Sequence, residues 1–181
     1  MQDSILLWLD LEMTGLNPQQ DSVLEIGALA TDIELTKIVD GPSLIIHQPA
    51  EALEHMNDFV RKMHTASGLV EKVKESSISL EQAEQQVIDF VLEQAGKKTV
   101  YLAGNSIYMD RSFLAQHMPR LNKLFHYRML DVSSFKIAIQ GWYPNQSEAD
   151  FKKKKTHRAL DDIRESIDEL KHYRTYFFKN L

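Results

Sequence analysis

Short apolar runs separated by turn residues characterise the first third of the chain, a pattern typical of β-strands. Residues 5–9 form a continuous apolar run, which predicts a strand buried on both faces of a sheet. Residues 23–33 alternate apolar and polar side chains, and residues 43–47 follow a turn signal at Gly41 and Pro42. Because only short loops separate the three predicted strands, we expect them to form an antiparallel meander.

Helical spacing of apolar residues dominates the rest of the chain. Helices are predicted over residues 58–73, 79–93, 109–117, 133–140 and 159–177, and further strands over residues 99–103 and 127–130. Gly68 is expected to break the first helix, while Ser79 and Gln82 have the spacing of a capping box at the start of the second. Three strands followed by mixed helices and strands predict an α/β fold, with one domain over residues 1–181.

The composition excludes several classes of protein. The chain of 181 residues has no cysteine, which excludes disulfide scaffolds, thiolate metal sites and cysteine nucleophiles. No basic cluster precedes the first apolar run, and that run is too short for a signal sequence or a membrane span, so a cytoplasmic location is expected. A net charge of −5 argues against a binder of long duplex nucleic acid, whereas a short nucleic acid has few phosphates to neutralise.

Two carboxylates follow the first predicted strand. Asp10 and Glu12 lie two residues apart, and side chains at this spacing in an extended chain point to the same side. They would therefore aim two carboxylates at one place, and hard divalent cations prefer such oxygen ligands. The pair alone also fits two solvated charges at a strand end, so a metal site needs support from other acids.

Further candidates lie at the ends of other predicted elements. Asp110 follows the strand at residues 99–103, where ligands gather in α/β sheets, although an acid there also suits a helix N-terminus. In the last helix, Asp162 lies nearer the apolar stripe than Asp161, and is the better candidate for an inward-facing carboxylate. His157 lies before or within the first turn of this helix, and could accept a proton from water or be an ordinary surface histidine.

Taken together, the acids and the histidine follow the order Asp-x-Glu, Asp, His-x4-Asp. This pattern resembles the DEDD superfamily of 3′→5′ exonucleases, in the subclass that has a catalytic histidine. The resemblance covers essentially the whole chain. Five ordered blocks carry it: residues 8–16, residues 64–69, residues 104–107 with Asp110 and Arg111, residues 127–133, and residues 157–166.

The resemblance implies a fold, a substrate class and a mechanism. The implied fold is RNase H-like, an α/β fold with a mixed five-stranded sheet flanked by helices. The implied protein is a homodimer that degrades RNA fragments of a few residues to nucleoside 5′-monophosphates. Two Mg²⁺ or Mn²⁺ ions are implied to be held by four carboxylates, Asp10, Glu12, Asp110 and Asp162, with His157 as the general base for the attacking water.

The same resemblance implies a pocket for the bases of the substrate. Leu16 is implied to wedge against the bases, and Phe59 to stack on one of them, at a position where a tryptophan is more typical of the family. On its pattern alone, Phe59 could equally be a core residue of an amphipathic helix. His64 is implied to lie near the 3′ nucleotide.

The far end of the substrate is implied to be closed. Ser106, Arg128 and Ser133 are implied to bind the 5′ phosphate, because the arginine fork can bond two phosphate oxygens. Tyr127 is implied to pack on the ligand, and Tyr127 and Arg128 would come from the second subunit. A closed end is a physical reason for short substrates, since a longer chain has no room to continue.

Several alternatives stay open at this point. The same metal site would suit a DNA-proofreading or tRNA-trimming exonuclease, whereas a module that binds RNA without cutting it, or a structural dimer, would not need the acids. The lysine run at residues 152–155 is expected to be a solvated loop, or alternatively to attract phosphate at the mouth of the site. Trp142 and Tyr143 lie in a predicted loop and are candidates for burial in a subunit interface.

Overall fold

Five strands form a mixed sheet in this computed structural model, which describes residues 3–152 and 158–178. The strands are β1 (Ser4–Met13), β2 (Val23–Asp32), β3 (Ile38–Ile45), β4 (Thr99–Gly104) and β5 (Met129–Asp131). Their order across the sheet is β3-β2-β1-β4-β5. The pairs β1–β2 and β2–β3 are antiparallel, which confirms the predicted meander, while β1–β4 and β4–β5 are parallel.

The helices lie on both sides of this sheet. Within the described residues they are α1 (Ala50–Glu54), α2 (Asp58–Ala66), α3 (Leu69–Glu75), α4 (Leu80–Ala95), α5 (Ile107–His117), α6 (Pro119–Asn122), α7 (Val132–Trp142) and α8 (Ala159–Phe177), with a short 3-10 helix at Ser147–Ala149. Gly68 separates α2 from α3 with a φ of 72°, a left-handed conformation that glycine adopts without strain, so the predicted break is confirmed. Ser79 and Gln82 form the predicted capping box of α4.

Several helical segments differ from the prediction, among them α1, α6, the end of α7 and the 3-10 helix. The helix α1 has five residues and buries only Leu53, so its pattern is too short to recognise in the sequence. The helix α7 continues through Gly141 to Trp142, where the sequence predicts a loop, because glycine in a helix costs only about 1 kcal/mol relative to alanine. None of the helices within residues 3–152 and 158–178 combines the length and the apolar character needed to cross a bilayer.

The central strand β1 is covered on both faces, as its continuous apolar run predicts. Apolar residues of α4 and α5 pack on one face, and apolar residues of α7 and α8 pack on the other. Trp8 is fully buried on the second face, where its indole N–H donates to the Thr31 hydroxyl at 2.9 Å. The end of β1 therefore lies between a helix from each layer, α5 on one side and α8 on the other.

A close approach between β2 and α8 determines where the last helix begins. Gly27 lies beside Ala159, and a Cβ added at Gly27 would be 2.9 Å from the Cβ of Ala159. Any side chain at position 27 would therefore push the first turn of α8 away from the sheet. Because Gly27 pairs with Asp10 across the β1–β2 ladder, this contact brings the start of α8 next to the end of β1.

Candidate active site

Three carboxylates from two elements meet at the end of β1. Asp10 and Glu12 project from β1, and Asp162 projects from the first turn of α8. One oxygen of each carboxylate lies within 4.8 Å of an oxygen of each of the other two. Asp161 is exposed and lies outside this acidic cluster, as the helical periodicity predicts.

Asp110 approaches the same place from α5. Its side chain is buried, and its Oδ1 accepts a hydrogen bond from the backbone N–H of Leu11 at 2.9 Å. Leu11 lies between Asp10 and Glu12 in the chain, so this bond fixes α5 against the strand that carries both acids. The structure thus brings all four predicted carboxylates to one end of β1.

The carboxylates of this cluster repel one another. Burial, with repulsion from Asp110 and Glu12, raises the pKa of Asp10 well above its ordinary value. Burial, followed by repulsion from Asp162, raises the pKa of Glu12 to about 8. Burial also raises the pKa of Asp110 to about 7, although the hydrogen bond from Leu11 partly opposes the shift. A divalent cation would relieve this repulsion, and an all-oxygen set of donors is what Mg²⁺ and Mn²⁺ prefer.

A buried ion pair lies beside the cluster. Glu25 is opposite Glu12 in the β1–β2 register, and only 1% of its side chain is exposed. Arg158 donates to both oxygens of Glu25, from Nη2 at 3.0 Å and from Nε at 3.2 Å. The motifs do not identify this pair, but a glutamate within a buried strand needs compensation for its charge, and this requirement is the signal that the sequence offers. His157, the preceding residue, and residues 153–155 lie outside the described residues, so their roles stay predictions.

His64 lies behind the carboxylate of Glu12. Its ring is fully buried, with Nε2 2.9 Å from the carbonyl oxygen of Met13 and Nδ1 3.8 Å from a Glu12 oxygen. A substrate contact, which the resemblance implies for His64, would require the ring to leave this position. In this structure His64 supports the end of β1, and its contact with the substrate stays a prediction.

Two of the implied substrate-binding residues are exposed apolar side chains. Leu16, in the loop between β1 and β2, is 68% exposed, and Phe59, in the first turn of α2, is 76% exposed. The alternative interpretation of Phe59 as a core residue is therefore wrong. Asp21 orders the loop that carries Leu16, since its carboxylate accepts hydrogen bonds from the Thr14 hydroxyl and the Asn17 N–H at 3.0 and 2.9 Å.

A second polar cluster lies at the amino end of α5. The Ser106 N–H donates to Asp131 Oδ1 at 2.9 Å and to Ser133 Oγ at 3.0 Å, and the two serine hydroxyls are 3.2 Å apart. Asp131 also accepts the Ser133 N–H at 2.9 Å and caps α7. Ser106 has a left-handed backbone with a φ of 51°, which these bonds hold in place. Asp131 had no role in the motifs, although a short acid directly before a helix is a capping signal.

Tyr127 and Arg128 lie next to each other on the surface. The guanidinium carbon of Arg128 is 5.3 Å from the centroid of the Tyr127 ring, a cation–π distance. Arg111, on α5, donates to the carbonyl oxygens of His126 and Tyr127 at 2.7 and 3.2 Å, so the backbone that presents the pair is fixed. The implied contribution of this pair to a second subunit stays a prediction.

The fold and the acidic cluster agree with the similarity of this chain to known exonucleases. Residues 7–170 match the family RNase_T, which is described as exonuclease. The chain is 48% identical to an oligoribonuclease of Pseudomonas aeruginosa over 174 residues, which cover 96% of each chain. It is 49% identical to an oligoribonuclease of Vibrio parahaemolyticus over 177 residues, 98% of this chain and 97% of the relative.

Solved structures share the fold at much lower identity. Exonuclease I of Methylocaldum szegediense aligns with 97% of this chain at a TM-score of 0.70 and 17% identity, but the match covers 41% of its own chain. Exonuclease I of E. coli in complex with a dA16 oligonucleotide aligns with 97% of this chain at a TM-score of 0.71 and 12% identity, over 42% of its own chain. These structures confirm the predicted fold, and the sequence matches over nearly the full length confirm the resemblance. The chain belongs to the oligoribonuclease family of RNase_T exonucleases.

Proposed function

We propose that the chain is a 3′→5′ exoribonuclease that degrades very short RNA, especially dinucleotides, to nucleoside 5′-monophosphates. The observation that carries the proposal is the meeting of Asp10, Glu12 and Asp162 in a chain of the oligoribonuclease family. A phosphodiester is anionic and would be repelled by bare carboxylates, so the cluster suits this substrate only together with cations. We infer a single exonuclease domain over residues 1–181, of which the family match covers residues 7–170.

The residues that would hold two divalent cations, Mg²⁺ or Mn²⁺, are Asp10, Glu12, Asp110 and Asp162. When bound, the ions supply activation of a water molecule and stabilisation of charge on the leaving 3′ oxygen. The chain keeps the donors in place, since Leu11 orients Asp110 and the start of α8 positions Asp162. Because the pKa values of Asp10, Glu12 and Asp110 are raised, metal binding is expected to release protons.

His157 is proposed to accept the proton of the attacking water. A neutral imidazole suits this role near neutral pH. The following residue, Arg158, is held by two hydrogen bonds to buried Glu25, which restrains the backbone next to the base. Support of this kind keeps a catalytic group in its productive position.

The substrate is proposed to lie between the exposed apolar residues and the serine cluster. Leu16 wedges against the bases and Phe59 stacks on one of them. Both side chains are exposed and therefore accessible to the substrate. Ser106, Ser133 and Arg128 bind the 5′ phosphate, and the amino end of α5, with Ser106 at its N-cap, favours an anion there. A substrate held at its 5′ phosphate has a limited length, because the chain cannot continue past that end.

A homodimer is proposed to complete the site. Tyr127 and Arg128 of one subunit reach the substrate of the other, which agrees with their exposed position on a fixed backbone. On α7, Ile137 and Trp142 are 72% and 75% exposed, and large apolar side chains of this kind are typical of surfaces that a second subunit covers.

The test is a time course on 5′-labelled RNA of two, three, five and twenty residues, with Mn²⁺ and with EDTA. We expect turnover that requires Mn²⁺ and falls steeply with RNA length. Asp10→Ala removes a carboxylate of the cluster and should abolish turnover, whereas Asp161→Ala removes an exposed acid of α8 and should leave turnover unchanged. Equal turnover at all lengths would indicate a general exonuclease, and no metal-dependent cleavage would contradict the proposal.

A further inference from the structure

Asn105 connects the serine cluster to the last helix. Its side chain is half-buried at the end of β4. The amide nitrogen donates to Ser166 Oγ at 2.7 Å and to Glu169 Oε2 at 3.2 Å, and both acceptors are on α8. The amide oxygen accepts a hydrogen bond from Ser133 Oγ at 3.1 Å. One side chain therefore contacts two parts of the molecule that carry different halves of the proposed site.

Buried Glu169 determines which way the Asn105 amide points. Glu169 has no exposed surface, and its second oxygen accepts a hydrogen bond from the Tyr173 hydroxyl at 2.9 Å. Burial and this bond to Glu169 raise the pKa of Tyr173, in agreement with a tyrosine that donates to a carboxylate. Because a carboxylate only accepts hydrogen bonds, the NH₂ group of Asn105 faces Glu169 and its oxygen faces Ser133.

The orientation of Asn105 then determines the orientation of both serines. The amide oxygen takes the single hydroxyl hydrogen of Ser133, so the lone pairs of Ser133 face Ser106. They accept the Ser106 N–H at 3.0 Å, with the Ser106 hydroxyl 3.2 Å away. Because the hydrogen of Ser133 is used in this way, the Ser106 hydroxyl is the donor in the contact between the two serines. The Ser106 hydrogen is the one that can turn to an acceptor outside this cluster, such as a phosphate oxygen.

At its other end, the same series of hydrogen bonds reaches the backbone of Asp162, a residue of the acidic cluster. Ser166 accepts from Asn105 and donates to the carbonyl oxygen of Asp162 at 2.8 Å, one turn earlier on α8. Hydrogen bonds therefore run without a break from Asp162 through Ser166 and Asn105 to Ser133. A shift of α8 would be transmitted to the serines by this route.

We propose that Asn105 is a positioning residue that, through Ser133, orients the Ser106 hydroxyl for the 5′ phosphate of the substrate and holds both serines at a fixed distance from the start of α8. The inference rests on the proposed exoribonuclease function. It gives Asn105 a part in the preference for a 5′ phosphate, and so in substrate length, but no part in the chemical step.

The test compares two RNA dinucleotides, one with a 5′ phosphate and one with a 5′ hydroxyl, by steady-state kinetics with Mn²⁺. The wild type is expected to prefer the phosphorylated dinucleotide. Asn105→Ala should lower kcat/KM for that substrate by about tenfold, the usual effect of weakening a hydrogen bond to a charged group, and should do so through KM. The value for the hydroxyl dinucleotide should stay the same. The inference would be overturned by an equal loss of kcat/KM for both dinucleotides, or by any other result that leaves the ratio of the two kcat/KM values unchanged.

Three further variants separate positioning from general support of the structure. Tyr173→Phe is the matched control, because it removes the hydrogen bond from Tyr173 to Glu169 and leaves the Asn105 contact in place. The ratio of kcat/KM for the two dinucleotides should therefore equal that of the wild type. In a protein that already carries Ser133→Ala, the added Asn105→Ala substitution should not change the ratio of kcat/KM for the two dinucleotides further, since Asn105 acts through Ser133. If Asn105→Ala fails to fold, Asn105→Ser should show the same loss of kcat/KM for the phosphorylated dinucleotide. The shorter serine side chain cannot reach both Ser133 and Glu169.

Failure of the inference and failure of the proposed function give different results. If the wild type cleaves short RNA and prefers the 5′ phosphate, and Asn105→Ala keeps that preference, the inference is overturned and the function stands. If the wild type cleaves short RNA without any preference for a 5′ phosphate, the phosphate site and the inference are both overturned. If the wild type cleaves no short RNA, the proposed function fails as well.

Discussion

Arg158, which directly precedes α8, forms a two-point ion pair with Glu25 near the start of β2, at 3.0 and 3.2 Å. Glu25 is almost fully buried and lies opposite Glu12 across the strand ladder. A carboxylate buried this deeply is costly unless hydrogen bonds or an opposite charge compensate it, and Arg158 supplies both to Glu25. The ion pair therefore stabilises the sheet and also fixes the position at which α8 begins.

Loss of Arg158 is expected to be strongly destabilising. Arg158→Met should lower the free energy of unfolding by about 3–5 kcal/mol, because Glu25 would stay buried without its partner. Arg164→Met is the matched control, since its partner Asp40 is exposed and such pairs contribute about 0–1 kcal/mol. Urea unfolding followed by circular dichroism measures both variants, and the double variant with Glu25→Gln should recover most of the loss. Equal effects of the two arginine substitutions would contradict this account.

Two adjacent acids of α8 are expected to differ in their contribution to catalysis. Asp162→Asn should weaken Mn²⁺ binding and lower kcat on a dinucleotide by about 10²–10³-fold, a loss typical of removing one group that stabilises transition-state charge. Asp161→Asn should change neither quantity, because Asp161 is exposed and lies outside the acidic cluster. Titration calorimetry and steady-state rates measure the two effects. Similar losses in both variants would show that the cluster is not the metal site.

The raised pKa values predict how the stability of the protein in EDTA depends on pH. The pKa of Glu12 rises from 4.5 to about 8 and that of Asp110 from 3.8 to about 7. Between the ordinary and the raised values, the folded state binds more protons than the unfolded state. The free energy of unfolding should therefore fall as pH rises through this window, by up to about 1.4 kcal/mol per pH unit for each group.

Melting temperatures of the wild type and of Glu12→Gln, measured in EDTA across this pH window, test the prediction. The glutamine variant lacks one titrating group, so the stability of the wild type relative to the variant should decline as pH rises. Addition of Mn²⁺ should remove the decline, since a bound cation favours the ionised carboxylates. A relative stability of the wild type that increases with pH would contradict the raised pKa of Glu12.

The exposed ring of Phe59 is expected to contribute to binding and not to folding. Phe59→Ala should raise KM for a dinucleotide by about tenfold with little change in melting temperature, because base stacking contributes about 1–3 kcal/mol and the ring is outside the core. Phe59→Trp should lower KM, because a larger ring offers more stacking area. Leu92→Ala, which removes an exposed apolar residue from α4, is the control and should leave KM unchanged. A loss of stability without a change in KM would restore the core interpretation.

The apolar surface of α7 is expected to be the subunit interface. Ile137→Glu should give a folded monomer without activity, because a charge in an apolar interface is costly and the proposed second subunit would supply part of the site. Leu92→Glu makes the same change at an exposed leucine of α4 and should stay dimeric. Size-exclusion chromatography with light scattering measures the mass. A dimeric Ile137→Glu protein would exclude this surface.

Elements with strong local patterns could be predicted from the sequence. The apolar run of β1, the capping box of Ser79 and Gln82, and the periodicity of α8 are properties of neighbouring residues, and all three are confirmed. The parallel pairing of β1 with β4 is not local, because the helices α1–α4 intervene between the two strands. The start of α7 is clear from its periodicity, but its end is not, since Gly141 reads as a turn signal and is helical.

In the candidate site, too, the residues with a local pattern could be predicted from the sequence, and the contacts between distant residues could not. Asp10, Glu12 and Asp162 could be predicted because strand alternation and helical periodicity determine which way each side chain points. The partnerships of Glu25 with Arg158 and of Asn105 with Glu169 depend on contacts between distant parts of the chain. Sequence patterns indicate which residues face the core, but they do not indicate which of these residues contact each other.

The contact between Gly27 and Ala159 leaves no room for another carbon atom. Neither residue carries a chemical group that could act on RNA, yet their small size determines how closely the acids of α8 approach those of β1. A methyl group at Gly27 would be absorbed by a small displacement of one helix, and the sheet would still form. The spacing of the proposed metal ligands therefore depends on the size of two residues that carry no reactive group.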